Sequence, residues 1–136
     1  MADVFNDQRK FMTVSGQTVN EHNQSQFELY KRLIQEEVSE LAESKSVTDE
    51  LDALIDIMVV TAGAIHSMGV DAEGAWKEVY RSNMAKVDPA TGKVRKREDG
   101  KVLKPANWEP PRLERYIRPR AWDNYSDLPA PEAYRD

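Results

Sequence analysis

The sequence predicts an all-α protein: a four-helix antiparallel bundle followed by a small C-terminal hairpin and an extended tail. Three observations carry that prediction. Apolar residues recur three and four apart through four segments, the period of helices with one buried face. The breaks between those segments are short and hold capping residues, so consecutive helices are expected to be antiparallel neighbours. After Lys86 the pattern gives way to turn signals, then to a stretch rich in proline and aromatic residues.

The elements follow in order. Residues 3–14 can form a short helix with Val4, Phe5, Phe11 and Met12 on its apolar side, ended by Ser15-Gly16. The polar run Gln17 to Gln24 is a loop. Ser25-Gln26-Phe27-Glu28 has capping-box spacing and opens a long second helix to about Ser44. Ser46 starts the third, which stops near Gly69, and Asp71 caps the fourth, to about Lys86. Asp88-Pro89-Ala90-Thr91-Gly92 is a turn. Lys93–Arg97 and Lys101–Lys104 flank Asp99-Gly100, a hairpin turn signal. The expected division is a helical domain with its hairpin over 1–104 and an extension over 105–136. The aromatic residues of that extension suggest that it lies across the bundle or a neighbouring subunit.

Composition sets outer bounds. The chain has 136 residues, enough for one domain with a modest core. It has no cysteine, which excludes disulfides and zinc-thiolate sites. No apolar run approaches a membrane span and the N-terminus lacks a secretory apolar core, so a soluble cytoplasmic protein is expected. A net charge of −5 argues against general nucleic-acid binding.

Chemistry concentrates in two acidic stretches, Glu36-Glu37-Val38-Ser39-Glu40 and Asp49-Glu50-Leu51-Asp52-Ala53-Leu54-Ile55-Asp56. Tyr30, Leu33, Ile34, Val38 and Leu41 define the apolar stripe of the second helix. Glu37 falls inside that stripe, Glu40 lies at its edge, and Glu36 faces more toward solvent. Residues 51–65 are apolar almost all round, the mark of a buried helix, yet Asp49, Asp52 and Asp56 share one of its faces. Buried carboxylates without partners would rather be protonated. A hard divalent cation keeps such a cluster ionised, and all-oxygen ligation suits Mg²⁺ or Mn²⁺. The plainer alternative for Asp49 is a capping box closed with Ser46, and for Glu36 a solvated helix position.

On the fourth helix Trp76, Val79, Tyr80 and Val87 form the apolar stripe, and Asn83 falls in its middle with Lys86 a turn on. An amide and an ammonium there could hold an anion or a phosphate oxygen. Equally, Asn83 could satisfy a backbone carbonyl and Lys86 the helix dipole. The hairpin over 93–104 carries six basic residues. It could face nucleic acid or a polyphosphate, but such a run is more often a solvated edge.

Glu36-Glu37-x-x-Glu40 followed by Asp49-x-x-Asp52 resembles the all-α nucleoside triphosphate pyrophosphohydrolases, the MazG-like enzymes, with relatives among phosphoribosyl-ATP pyrophosphohydrolases and dimeric dUTPases. Arg81-Ser82-Asn83-Met84-Ala85-Lys86 and Arg97–Pro105 resemble the branch common in phages, and within it the MazZ-type enzymes that hydrolyse dGTP and GTP. The likeness covers roughly residues 4–113. One departure is Asp49, where the family usually has Glu.

The resemblance implies Mg²⁺-dependent hydrolysis of a nucleoside triphosphate to the monophosphate and pyrophosphate, using two or three ions, with Mn²⁺ able to substitute. Glu37, Glu40, Asp49 and Asp52 would ligate metal, with Asp56 a further ligand or a supporting group. Glu36 would order a water, and Glu37 or Glu40 would take its proton. Asn83, Lys86 and Lys101 would meet the phosphates. Asn6, Gln8, Asn20 and Trp76 are base-contact candidates by residue type. The expected partners are a nucleotide and further copies of the chain, a tetramer built as a dimer of dimers or a dimer, with no nucleic acid and no membrane. A phage-encoded protein would act in the host cytoplasm. The competing readings are a broad house-cleaning pyrophosphatase, a non-catalytic module that binds metal or nucleotide, and a nucleic-acid accessory protein using the basic hairpin.

Overall fold

The computed structural model describes residues 2–117. Within them lie four helices, α1 (Val4–Val14), α2 (Gln24–Glu43), α3 (Val47–Ser67) and α4 (Ala72–Met84), then strands β1 (Val87–Asp88) and β2 (Lys93–Val94) and a short 3₁₀ turn at Glu114–Tyr116. The expected aromatic and proline positions from Pro119 to Tyr134 lie outside the described residues. The chain folds as two compact units, one ending at Ala72 and the next running from Glu73 to Ile117.

In the first unit α2 and α3 form an antiparallel hairpin across Ser44-Lys45-Ser46. The pairs that meet show the register. Gln26 Nε2 donates to Ser67 Oγ at 2.9 Å, the Tyr30 ring lies against Gly63, and Glu37 stands near Asp56. Numbers rise on one helix as they fall on the other. Gly63 makes the middle contact possible, because a Cβ there would sit 2.3 Å from Tyr30 Cε1. Met12, Tyr30 and Ala64 form the buried centre, with Val19, Phe27, Leu33, Ile34 and Val60 packed against it.

One expected helix start holds, at Ser46, and one shifts, at α2. Asp3 caps α1 by accepting from Asn6 N–H, and Ser46 caps α3 by accepting from Asp49 N–H at 3.1 Å. Asn23, not Ser25, caps α2. Asn23 is tied on both sides: its Nδ2 donates to Thr18 Oγ1 at 2.9 Å and its N–H to the Ser67 carbonyl at 2.9 Å. After α3 the chain turns at Gly69, with φ +70°. A Cβ there would meet His22 N at 2.6 Å, so glycine lets the turn touch the loop before α2.

Four expectations about burial need correction, the first being Val38, which the α2 stripe includes but which is exposed. On α1 it is Gln8 and Met12 that face inward, while Phe11 is exposed. Gln8 is tolerated there because its Nε2 donates to Tyr30 Oη at 3.4 Å and Tyr30 Oη donates to Gln17 Oε1 at 2.5 Å. On α3 the second half is buried, but Leu51, Leu54, Ile55 and Met58 are about half exposed in the single chain. On α4 two of the four expected stripe residues are exposed, Trp76 at 64% and Tyr80, and Val79 and Val87 are half-buried, while Glu78 and Ser82 are buried. Asn83 is exposed rather than buried.

The chain returning from the hairpins explains that last reversal. Trp108 Nε1–H donates to the Ser82 carbonyl at 2.6 Å, and Arg112 N–H donates to Glu78 Oε2 at 2.6 Å. Arg81 Nε–H also donates to Glu78 Oε1 at 2.7 Å. These donors hold the Glu78 carboxyl down at about 2, the Arg81 side chain first among them. The polar face of α4 is buried because the following segment brings donors to it. Strands β1 and β2 pair antiparallel across Pro89–Gly92. The turn at Asp99-Gly100 closes a second backbone hairpin, with Arg97 N–H on the Lys101 carbonyl at 2.7 Å and Leu103 N–H on the Arg95 carbonyl at 2.8 Å.

Candidate metal centre

The α2–α3 hairpin turns the two acidic stretches toward each other. Glu37 is half-buried, while Glu36 and Glu40 are exposed on α2. From α3, Asp56 is half-buried and Asp52 and Asp49 are exposed. The groups that bear on Glu37 are Glu40, Asp56 and Asp52. Burial first, then the adjacent Glu40 carboxyl, then the charges of Asp56 and Asp52 push the Glu37 carboxyl above its ordinary range. Glu37 Oε2 is shut off from solvent and has no hydrogen-bond partner among the described residues. An apolar stripe that places a carboxylate oxygen where nothing satisfies it is costly, and more so beside three further carboxylates.

That donor set is all oxygen and strongly anionic, which suits a hard divalent ion in character. Among the described residues no three of these side chains are drawn together into a closed cation cage. The fit therefore rests on the chemistry of the donors and on the isolated Glu37 oxygen, not on a formed coordination shell.

A comparison with known families decides the kind of protein. The family model described as phosphoribosyl-ATP pyrophosphohydrolase matches residues 2–83, which include α1, α2, α3 and both acidic stretches. The chain belongs to the phosphoribosyl-ATP pyrophosphohydrolase family. Members of this family are pyrophosphohydrolases acting on nucleoside triphosphates, and they are typically Mg²⁺-dependent. No curated protein matches the chain. As expected for the family, the described residues are mostly helical. No described helix is long and apolar enough to cross a membrane.

The remaining candidate residues are dispersed. Asp49 sits in the first turn of α3, where its N–H is held by Ser46 Oγ, and it is not among the charges that act on Glu37. Gln8 is committed to Tyr30 inside the core. Asn6 caps nothing itself, but its N–H is held by Asp3 at 3.0 Å. Asn20 takes a positive φ of 64° in the loop before α2, a turn role for which Asn is well suited. In the second unit Asn83 Oδ1 accepts from Lys86 Nζ at 3.0 Å. Lys101 is exposed, and its N–H is held by Asp99 Oδ1 at 3.1 Å.

Sequence reasoning passed over two further residues in that second unit. Trp108 has Lys104 Nζ 4.4 Å and Lys86 Nζ 5.5 Å from its ring centroid. Lys104 belongs to the basic run and Trp108 to the aromatic stretch, and no periodicity links them. Only the return of the chain along α4 brings them to Asn83 and Lys86.

Proposed function

We propose that this protein is a Mg²⁺-dependent diphosphohydrolase that converts a guanine nucleoside triphosphate, dGTP or GTP, and water to the monophosphate and pyrophosphate, in phage nucleotide metabolism. The observation that carries the hydrolytic part is Glu37 on α2, whose Oε2 is buried without a hydrogen-bond partner among the described residues and whose carboxyl is crowded by Glu40, Asp56 and Asp52. The guanine preference has narrower support: the likeness of Arg81–Lys86 and Arg97–Pro105 to the MazZ branch.

In this reading Glu37, Glu40, Asp52 and Asp56 hold two or three Mg²⁺ ions, with Asp49 at the edge of the set. Bound there, Mg²⁺ neutralises carboxylate and triphosphate charge and acidifies water. Glu37 or Glu40 accepts the proton of the water that attacks the α–β linkage. A carboxyl whose neighbours disfavour its charge is the better proton acceptor. Glu36 orients that water, and Asn83, Lys86 and Lys101 bind the phosphates. Asn6, Asn20 and Trp76 remain candidates for the base, and Gln8 would act there only by giving up its bond to Tyr30.

The exposed apolar face of Leu51, Leu54, Ile55 and Met58 supports assembly with further copies of the chain. The assembly proposed is a dimer of dimers.

The variants Glu37→Gln and Asp52→Asn test the site. Each should keep the fold and lower Mg²⁺-dependent pyrophosphate release at least about a hundredfold, as expected for losing a group that acts in proton transfer or holds the metal. Near-normal turnover in either would remove that residue from the centre.

A further inference from the structure

The C-terminal end of α4 collects positive charge without a negative partner among the described residues. Lys86 Nζ and Lys104 Nζ both approach the Trp108 ring, one from the end of the helix and one from the exit of the second hairpin. The Nε1–H of that ring is tied to the carbonyl of the buried Ser82. An aromatic face attracts an ammonium, but two ammonium groups at one ring repel each other. Among the described residues no carboxylate forms an ion pair with either lysine. Three arginines of the same unit do have such partners: Arg81 is paired with Glu78, Arg97 with Asp99 and Arg112 with Glu109.

Asn83 completes the arrangement. Its Oδ1 accepts from Lys86 Nζ at 3.0 Å, which orients the amide and leaves Nδ2 as a donor. Two ammonium groups and an amide N–H are the donors that a phosphate chain recognises.

We infer that Lys86, Lys104 and Asn83 form a binding site for a di- or triphosphate group, with Trp108 as the residue that positions both lysines. This deepens the proposed function, which gives Asn83 and Lys86 to the phosphates, by adding Lys104 and Trp108. A small polyphosphate fits better than a nucleic-acid backbone. The charges converge on one ring rather than tracking a line, and the net charge of −5 repels a long polyanion.

The test is calorimetric titration of the full chain with inorganic pyrophosphate in EDTA, which removes any role for a cation at the carboxylates. The chain should bind, and Lys86→Gln and Lys104→Gln should each weaken binding about tenfold or more, the loss expected for a hydrogen bond to a charged group. Lys104→Arg should retain most of the affinity. Lys96→Gln, an exposed lysine of the same hairpin, should leave it unchanged. Trp108→Phe keeps an aromatic ring but loses the bond to Ser82, so it should raise KM for the nucleotide more than it lowers kcat.

No binding by the wild-type chain, or equal binding by the two glutamine variants, overturns the site. Displacement of pyrophosphate by duplex DNA, with a steep salt dependence, replaces it with a nucleic-acid surface. The two readings fail separately. A chain that binds pyrophosphate through both lysines yet hydrolyses no nucleotide keeps this site and loses the enzyme. A chain that turns nucleotides over with unchanged KM in Lys104→Gln keeps the enzyme and loses this site.

Discussion

At the scale of the residue, one carboxyl carries most of the argument. Glu37 could be found from sequence because it breaks the stripe of Tyr30, Leu33, Ile34, Val38 and Leu41, and a helical wheel suffices to see that. Its pairing with Asp52 and Asp56 was also legible, since both lie on one face of a helix that a short break folds back. Asp49 is the marginal case. Its N–H is engaged by the Ser46 cap and its charge is not among those that act on Glu37. Asp49→Asn should therefore cost little stability, as measured by thermal unfolding, and its turnover with Mg²⁺ decides its role. Activity near that of the wild type makes it a helix-start residue, whereas a loss as deep as that of Asp52→Asn makes it a ligand. Glu78 gives a pH prediction of the opposite kind. Its folded carboxyl is held at about 2, below the ordinary 4.5, by Arg81 and the Arg112 amide. A depressed acid stabilises the fold above its unfolded value and loses that contribution as pH falls through its folded value. Stability should thus drop between about pH 4.5 and 2, and Glu78→Gln should flatten that limb while lowering stability at neutral pH by about 2 kcal/mol. A limb of unchanged slope in the variant would show that Glu78 is not the titrating group.

At the scale of the element, the caps and periods were readable and the partners of each face were not. Ser46 marks its helix in sequence because the capping bond is local, three residues long. Asn23 displaced Ser25 as the cap of α2 because its N–H and amide are also held by Ser67 and Thr18, contacts that no local pattern encodes. Helix α4 misled more deeply. Its apolar stripe of Trp76, Val79 and Tyr80 suggested the buried side, yet the segment containing Trp108 and Arg112 supplies donors to the opposite, polar side. The α2–α3 pair depends on a missing side chain. Gly63→Ala would drive a methyl group into the Tyr30 ring, so it should destabilise the chain by about 1–3 kcal/mol, the usual cost of overpacking, in chemical denaturation. The same shift should lower Mg²⁺ affinity, because Tyr30–Gly63 and Glu37–Asp56 belong to one register. Full stability in the alanine variant would contradict the close helix contact.

At the scale of the whole molecule, the open question in the single chain is its apolar exterior. Leu51, Leu54, Ile55 and Met58 lie on the first half of α3, and a helix that reads as buried from sequence is half exposed in the isolated chain. We propose that this face meets another copy of the chain, which is why it reads as buried in the sequence and stands exposed in one copy. Size-exclusion chromatography with light scattering should give a dimer or tetramer, and Leu54→Glu with Met58→Glu should shift it to a smaller species. A wild-type monomer would contradict the assembly. The central claim concerns chemistry, and pyrophosphate release from each common ribo- and deoxyribonucleoside triphosphate, with Mg²⁺ and with EDTA, tests it most directly. The account predicts release of pyrophosphate and a monophosphate, dependent on Mg²⁺ and greatest with dGTP and GTP. Equal rates for every base would contradict the guanine preference, and no release from any nucleotide would contradict the hydrolase itself.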